Sequence, residues 1–381
     1  MKLKDICIIQ SGGTPSRSKK EYWENGTIPW VKISDFSAKH IINTQESITE
    51  QGMNCSSAKL FPKGTLLYTI FATIGEVGIL DIDATTNQAI VGIMIKNSMV
   101  DQEYLYYYLL SLKDYVNRIG RGVAQNNINM SILRELEIPL PPIEKQKKIS
   151  DIFIQLDKMI EQRQSQIDLI DELVKSRFIE MFGDENNSKK WDIVNVENVA
   201  DVQVGVVIKP SQYYTDKNEG IKAFRSLNVG EGYIKDSEWV YFSKEGHQKN
   251  SKSILKENDL LIVRSGTPGT ACVVTKDYVG SNTIDLIIAH PNCEKVNPYY
   301  LCTFTNMPHG KKQISEGIGG AAQQHFNVGK YNKLKLMLPP MKIQNKFVEF
   351  LRETDKSKLA VQKSLDELET LKKSLMQEYF G

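Results

Sequence analysis

One stretch of this chain occurs twice, and this repeat constrains the fold more than any other feature. Residues 141–183 begin PPIEKQKKI and end in FG, and residues 339–381 begin PPMKIQNKF and also end in FG. The copies are 198 positions apart, so that Gln146 corresponds to Gln344. Such a repeat must be recognised before any other assignment, because it decides how often one fold is used. We therefore predict a tandem duplication in which each half ends in the same long element.

Each copy has the spacing of one long helix. Apolar residues recur at intervals of three and four, the pattern of a single apolar stripe on a helix. The prolines at 141–142 and 339–340 suit a first turn, and Gly183 and Gly381 suit a C-terminal stop. The positions that we expect to pack in this stripe are Ile149, Ile152, Leu156, Ile167, Ile170 and Val174 in the first copy, and Phe347, Phe350, Val361, Leu365, Leu368 and Leu375 in the second.

Helices of this kind are too long and too one-sided to be stable alone. A helix over residues 143–181 would be roughly 58 Å long at about 1.5 Å per residue. We expect the two copies to pair as an antiparallel coiled coil, which would place a globular domain at each end of a dumbbell with a pseudo-two-fold axis. The alternative is two unrelated surface helices, each packed on its own domain.

The sequence outside the helices is also repeated, although less closely. IPWVKISDF at 28–36 corresponds to IKAFRSLNV at 221–229, and LLYTIFATIGEVGIL at 66–80 corresponds to LLIVRSGTPGTACVV at 260–274. Strands interspersed with short helices predict two α/β domains of similar fold. We divide the chain into a first domain at 1–142, a first long helix at 143–183, a second domain at 184–340 and a second long helix at 341–381.

Composition excludes several classes of protein. Hydrophobic residues make up 41% and charged residues 25% of the 381 positions, as in ordinary globular proteins. No apolar run approaches the length of a membrane helix. The five cysteines have no metal-binding spacing and fit a reducing compartment, so we expect a cytoplasmic protein without a metal. A net charge of +2 lacks the basic excess of a solitary DNA-binding protein, so any grip on DNA must come from local clusters or from partners.

Catalytic motifs are weak in this sequence, and we predict no catalytic residue. NPYY at 297–300 is similar to the motif of adenine-N6 methyltransferases, but no glycine-rich cofactor loop accompanies it. The repeat places VNPYYL over VDQEYL at 100–105, which predicts Asn297 and Asp101 as helix N-caps. GTPGT at 266–270 lacks the Gly-Lys-Ser/Thr of a phosphate loop.

Polar and basic side chains, by contrast, follow the predicted strands and occupy the loops. Asn and Gln can form paired hydrogen bonds with an adenine edge, and Arg can do so with guanine. Arg264 corresponds to Ile70, the kind of difference expected between two readers of different sequence. For each residue the alternative is a solvated loop side chain, and the loop amides have the further alternative of capping the short helix that follows. The candidate DNA-binding residues are Thr14, Ser16, Arg17, Lys19, Lys20, Lys32, Ser34, Arg121, Gln125 and Asn126 in the first domain, and Lys209, Arg225, Ser226, Asn228, Arg264, Ser265, Gln323, Gln324 and His325 in the second.

Several motifs together resemble the specificity subunits of type I restriction-modification systems. They are SGGTPSR at 11–17, IPWVKISD at 28–35, VAQNNIN at 123–129, IPLPPIEKQKKI at 138–149 and the FG endings. The resemblance implies two target-recognition domains, each reading half of a split double-stranded DNA target, and two helices in an antiparallel coiled coil. Two features depart from the family pattern: Met341-Lys342 replaces an Ile-Glu pair, and VGVVIKP at 204–210 replaces the Gly-Gly-Thr-Pro opening.

The same resemblance implies a subunit without catalytic activity and without a cofactor of its own. It would dock two modification subunits, which carry S-adenosylmethionine and methylate adenine, and restriction subunits that complete the nuclease. Two other functions stay open from the residues alone. One is a self-contained DNA methyltransferase, and the other is a coiled-coil adaptor with no role on DNA.

Overall fold

The computed structural model describes residues 1–120, 128–317 and 325–381. The chain forms two compact units. The first contains Met1–Gln164 and Lys363–Gly381, and the second contains Ser165–Gln362. Each unit therefore combines one globular region with parts of both long helices.

The strands of the first unit are β1 Cys7–Ser11, β2 Ile28–Val31, β3 His40–Ile41, β4 Glu46–Ile48, β5 Leu66–Thr69, β6 Val77–Leu80, β7 Thr85–Thr86 and β8 Ile90–Ile95. Its α-helices are α1 Leu3–Ile6, α2 Glu50–Asn54, α3 Gln102–Ser111, α4 Lys113–Gly120, α5 Met130–Glu135 and the beginning of α6 Ile143–Phe182.

Two sheets form the frame of the first unit. A five-stranded sheet has the order β1-β8-β5-β6-β3, and a three-stranded sheet has the order β4-β2-β7. The pairs β3–β6 and β2–β7 are parallel, and the other pairs are antiparallel. The prediction of one strand over 28–36 is wrong beyond Val31. There a 3₁₀ turn at Ile33–Asp35 takes over, in which the Asp35 carboxylate accepts from the backbone amide of Lys32 at 2.8 Å.

A buried glutamine fixes the first turn of α6. Gln146 accepts from the backbone amide of Asp101 at 2.9 Å and donates to the carbonyl oxygens of Met99 and Pro141, both at 2.8 Å. Asp101 also caps α3, as predicted, by accepting from the amide of Tyr104 at 2.9 Å. Gln146 thus joins the start of α6 to the start of α3 and supplies partners for buried backbone groups.

Within the first unit, α6 runs antiparallel to the last part of α11 Met341–Phe380. Phe153 stacks on Phe380 with ring centroids 5.6 Å apart, and Arg163 Nε donates to Ser364 Oγ at 3.2 Å. As α6 advances from residue 153 to residue 163, its contacts on α11 move back from residue 380 to residue 364, which shows that the two helices are antiparallel.

The strands of the second unit are β9 Asp192–Asn195, β10 Ala200–Val204, β11 Tyr214–Thr215, β12 Ile221–Phe224, β13 Val240–Phe242, β14 Leu260–Val263, β15 Ala271–Val273, β16 Asn282–Thr283, β17 Leu286–Pro291 and β18 Lys335–Leu338. Its other α-helices are α7 Lys244–Lys249, α8 Pro298–Asn306, α9 Pro308–Gly317 and α10 Val328–Asn332.

The second unit repeats the strand order of the first. The order β10-β17-β14-β15 matches β1-β8-β5-β6, and β13-β12-β16 matches β4-β2-β7, including the parallel pairing of the last two strands. The smaller sheet of the second unit has a fourth strand, β11, which pairs with β13. An additional pair, β9 with β18, precedes the second long helix. The prediction of two α/β domains with one frame is confirmed.

The buried glutamine is repeated as well. Gln344 accepts from the backbone amide of Asn297 at 2.8 Å and donates to the carbonyl of Pro339 at 2.8 Å and to that of Lys295 at 3.3 Å. Asn297 caps α8 by accepting from Tyr299, with Pro298 in the first turn. The predicted N-cap at NPYY is confirmed.

The two predicted long helices are confirmed, with 40 residues each. Gly183 ends the first at a φ of +92°, which favours glycine. Within the second unit, the ring centroids of Phe178 and Phe347 are 5.4 Å apart, and Lys358 Nζ donates to Asp171 Oδ1 at 2.5 Å. The later residue of α6 therefore contacts the earlier residue of α11, so the helices are antiparallel here too. The boundaries at 142, 183 and 340 stay predictions.

The packing positions lie in two separate cores. Ile149 and Leu156 are buried in the core of the first unit, where Ile152, Leu368 and Leu375 pack against it. In the second unit, Phe347 belongs to the core, and Val174 and Phe350 pack against it. Ile167 and Leu365 are also buried, and Ile170 and Val361 are half-buried. These helices pack on the globular cores as well as on each other, so part of the alternative interpretation also holds.

Candidate nucleic-acid interface

In the first unit, β1, β5 and β8 meet at one edge of the large sheet. Where β1 ends, the amide of Gly13 donates to the carbonyl of Thr86 at 2.8 Å. Where β5 ends, the amide of Ile70 donates to the carbonyl of Ala89 at 2.9 Å, just before β8 begins. We call this edge 1 and define it by Gly13–Thr14, Ile70–Phe71 and Gln88–Ala89.

Thr14 is the predicted residue that lies on edge 1, and Ser16 and Ser34 lie in loops outside it. Thr14 donates its hydroxyl to the Gln88 side chain, which holds the loop after β1 against the start of β8. Phe71 is exposed beyond β5. Ser16 is exposed and hydrogen-bonded to Ser18, and Ser34 is exposed in the turn after β2.

Arg17 lies in an aromatic and acidic cluster. Its guanidinium carbon is 3.5 Å from the centroid of the Trp23 ring and 4.8 Å from that of Trp30. Glu46 accepts from Arg17 Nη1 at 2.6 Å and from Lys32 Nζ at 2.7 Å. The hydrogen bond from Lys32, followed by that from Arg17, lowers the pKa of Glu46 below its ordinary value. Both predicted cations therefore have an internal carboxylate partner, although Arg17 remains half exposed.

The other two predicted cations of this loop are at the surface. Lys19 donates to the Tyr22 hydroxyl at 2.9 Å, and this hydrogen bond raises the pKa of the lysine. Lys20 lies 3.7 Å from Glu24, one helical turn away, and both side chains are exposed. An exposed ion pair such as Lys20–Glu24 contributes little to stability, so it holds the Lys20 side chain only weakly.

The amide-rich loops fall outside the described residues. They carry five of the predicted positions: Arg121, Gln125, Asn126, Gln323 and Gln324. Just after each loop, one described residue is attached in the same way in both units: Ile128 directly after the first loop and Phe326 two residues after the second. The amide of Ile128 donates to the carbonyl of Ile70 at 3.2 Å, and that of Phe326 donates to Arg264 at 3.0 Å.

The second unit has the equivalent edge. The amide of Val206 donates to the carbonyl of Thr283 at 2.9 Å, and the amide of Asp285 donates to the carbonyl of Val206 at 3.1 Å. Arg264, where β14 ends, donates Nη1 to Asp285 at 2.5 Å. We call this edge 2 and define it by Val206–Ile208, Arg264–Ser265 and Asp285.

Arg264 has a structural role in this edge. Its side chain is only 16% exposed, and Nε donates to the carbonyl of Phe326 at 3.1 Å in addition to the pair with Asp285. Its Nη1 and Nε are thus both hydrogen-bonded to protein, and the predicted base contact stays a prediction. Ser265 and His325 are hydrogen-bonded to each other at 2.9 Å on the same edge.

Asn228 requires a correction, because it is completely buried. Its side-chain oxygen accepts from the amide of Arg225 at 2.9 Å, and its nitrogen donates to the carbonyl of Ser237 at 2.7 Å. The sequence placed it correctly after β12 but could not show that it closes the turn instead of facing DNA. Arg225 is half-buried and donates to the carbonyl of Glu238, whereas Ser226 is exposed. Lys209 is exposed at a positive φ of 44°.

The sequence interpretation missed several residues of these edges. Trp23 and Glu46 orient Arg17, and Gln88 and Asp285 hold the loops. A signal was available for the last two, because Gln88 lies two residues before β8 and Asp285 lies one residue before β17. No repeat could reveal Glu46, since its contacts join separate parts of the chain.

Metal-binding clusters and membrane-spanning helices were also considered for the described parts of the chain. Within residues 1–120, 128–317 and 325–381, no three His, Cys, Asp or Glu side chains are grouped so as to hold a metal ion. Over the same residues, none of the helices has both the length and the apolar character needed to cross a membrane.

Comparisons with known proteins agree with this architecture. The type I restriction modification DNA specificity domain matches twice, over residues 1–170 and 188–370. A type I restriction enzyme specificity subunit, MjaIX of Methanocaldococcus jannaschii, is 26% identical, covering 98% of this chain and 90% of the relative.

Solved structures share the fold. The S subunit of a type I restriction-modification system from M. genitalium superposes with a TM-score of 0.57 at 14% identity, covering 100% of this chain and 95% of that one. A chain from a structural study of complex assembly and conformational transition of the type I R-M system gives a TM-score of 0.63 at 16% identity, covering 100% and 96%. With a specificity domain matched in each half, this chain belongs to the family of type I restriction-modification specificity subunits.

Proposed function

We propose that this chain reads a split double-stranded DNA target, with each unit recognising one half-site. The observation that carries the proposal is that edge 1 and edge 2 occupy the same place in one frame but present different side chains. Edge 1 presents Thr14, Gln88 and Phe71, whereas edge 2 presents Val207, Ile208 and the Ser265–His325 pair. Two sites of different chemistry on one scaffold suit the reading of two different sequences.

The proposal assigns the chemical step to partner subunits. GTPGT at 266–270 forms a tight turn whose groups bond internally: the amide of Gly269 donates to the carbonyl of Val263 at 2.9 Å, and the amide of Val263 donates to the carbonyl of Thr270 at 2.9 Å. A Cβ on Gly269 would lie 2.6 Å from a methyl carbon of Ile314, so the turn is packed against protein and does not fit a phosphate. In this proposal the chain is non-catalytic, and S-adenosylmethionine is held by the modification subunits.

The partners follow from the same family. We infer docking of two modification subunits, which methylate one adenine in each half-site, and association of restriction subunits to form the nuclease. The near-neutral charge of the chain supports this division, because phosphate contacts dominate affinity and can be supplied by partners.

The test is to co-express the chain with the modification subunit of the same system and to map methylated adenines across a host genome. The chain should direct methylation to one motif with two defined parts. Exchanging residues 1–142 for those of another specificity subunit should change one part of the motif and leave the other intact.

A matched exchange of residues 184–340 should change only the other part. Methylation that is absent, or that is indifferent to both exchanges, would contradict the proposal and favour an adaptor without a role on DNA. Methylation by the chain alone, without a modification subunit, would contradict the assignment of the chemistry to a partner.

A further inference from the structure

Edge 2 ends in a small apolar tip that the second unit has in place of a polar loop. Ile208 is 79% exposed and Val207 is 49% exposed. The equivalent positions of the first unit are Thr14, which is hydrogen-bonded, and Pro15, which is buried. Burial on the protein itself therefore does not explain the aliphatic side chains of the tip.

The tip is held at both ends. Before it, Val206 forms a bridge with Ile284, in addition to its hydrogen bonds with Thr283 and Asp285. After it, Lys209 turns the chain at a φ of +44°, and its carbonyl accepts from the amide of Gln212 at 3.2 Å. Two aliphatic side chains are thus displayed on a fixed backbone beside an exposed lysine.

We propose that Ile208, supported by Val207, reads the 5-methyl group of a thymine in the half-site of the second unit. This inference rests on the proposed function. The tip is continuous with edge 2 through Asp285, which pairs with Arg264. Apolar contact with the thymine methyl is one of the direct ways of reading the major groove, and it needs an aliphatic group that water does not separate from the base.

Double-stranded DNA fits the tip better than a protein partner does. Two side chains are a small area, whereas a protein interface requires a much larger apolar patch. Lys209 lies directly beside Ile208, where a cation can approach a phosphate while the aliphatic groups face the base edges. Apolar wedges between base steps form another mode of DNA contact, but they respond to stacking and not to the thymine methyl.

The experiment uses the complex of the full chain with its modification subunits. After the target is mapped and the half-sites are assigned by domain exchange, each thymine of the second half-site is replaced in turn by deoxyuridine, which lacks only the 5-methyl group. The wild-type complex should bind about fourfold more weakly at one of these positions, the loss expected for one buried methyl group. The Ile208→Ala complex should bind thymine and deoxyuridine equally there.

Val279→Ala is the matched control. Val279 is 51% exposed and lies at the far end of β16 from Asp285, so this variant should keep the preference for thymine. Because Ile208 is exposed, Ile208→Ala should unfold at the wild-type temperature, which separates an effect on recognition from one on folding.

Three outcomes would overturn the inference. If the wild-type complex binds its target but binds thymine and deoxyuridine equally at every position, the tip does not read a thymine methyl, while the proposed function is unaffected. A thymine preference that survives Ile208→Ala assigns the methyl contact to another residue. Loss of sequence-specific binding altogether, in the wild-type complex, would overturn the proposed function as well.

Discussion

The two units agree closely where α3 and α8 begin and differ where the large sheets end. Gln146 and Gln344 make the same three kinds of hydrogen bond, although their sequences diverge around them. At the edges, by contrast, Arg264 stands where the first unit has Ile70, and Asp285, directly before β17, stands where it has Ala89, directly before β8.

The difference separates two kinds of constraint. A buried glutamine that supplies partners to backbone groups cannot change without leaving those groups unsatisfied, so both copies have kept it. An edge residue only has to be compatible with the same strand ends. The residue type at an edge position can therefore differ between the two units and suit a different half-site, as long as it fits the local packing.

The helix ends provide the sharpest test of this comparison. Phe182 is fully buried in the second unit, and its ring centroid is 4.6 Å from that of Tyr300. Its repeat equivalent in the first unit is Phe380, whose ring centroid is 5.5 Å from that of Tyr104. We expect Phe182→Ala to cost about 3–5 kcal/mol of unfolding free energy in the second unit. Phe380→Ala should cost less, because Phe380 keeps some exposure.

Urea unfolding combined with hydrogen exchange of peptides from α3 and α8 would report the two units separately. Ile179→Ala, at an exposed position of the same helix, is the control. A larger loss for Phe380→Ala would show that the two ends are not equivalent.

Gln146→Ala and Gln344→Ala should each cost about 1–3 kcal/mol, since each leaves a part-buried amide and two carbonyls without their partner. The two losses of unfolding free energy should be similar because Gln146 and Gln344 make equivalent hydrogen bonds. Faster exchange of the amides of Asp101 and Asn297, measured by NMR or mass spectrometry, should accompany the respective loss. The exposed Gln155→Ala should have no effect, and a clear loss in only one of the two units would break the equivalence.

Arg264→Ala should destabilise the second unit by about 1.5–3 kcal/mol, the range for hydrogen bonds that involve a charged group. If the role is structural, binding to target and to random DNA should fall by the same factor once the protein is folded. The double variant Arg264→Ile with Asp285→Ala copies the first unit and should recover part of the stability. A loss confined to the target DNA would restore Arg264 as a base contact.

The smallest effect concerns Glu46, whose lowered pKa reflects its hydrogen bonds with Lys32 and then Arg17. A carboxylate with a depressed folded pKa stabilises the protein above its unfolded pKa, and this contribution is lost as the pH falls through the folded value. Glu46→Gln should therefore cost about 0–1 kcal/mol at neutral pH, with the difference disappearing in acid.

Thermal unfolding of the two proteins between pH 7 and pH 3 would measure this difference. Asp236 in the second unit is hydrogen-bonded in a similar way, although it is not at the equivalent position: the hydrogen bond from Lys222, followed by that from Trp239, lowers its pKa. Asp236→Asn is the matched comparison, and a difference for Glu46→Gln that grew as the pH fell would contradict the assignment.

Much of the fold could be predicted because it is periodic or duplicated. The helix stripe, the prolines and the terminal glycines predicted α6 and α11, and the repeat identified Asn297 as an N-cap. Phe153 was not among the predicted packing positions. Its ring contacts Tyr107 and Phe380, which are distant in sequence, so the spacing of apolar residues along the helix could not indicate these contacts. The strand over 28–36 was overextended because side-chain capping by Asp35, not apolar pattern, ends it.

The sequence by itself therefore determined the duplication, the long helices, the family and the approximate position of each edge. Only the tertiary structure decided which edge side chains are available. Asn228 and Arg264 look like recognition residues in the sequence, yet one is buried and the other is paired. The physical reason is that hydrogen-bonding groups of one kind serve either a ligand or the protein's own backbone, and only their neighbours in space determine which.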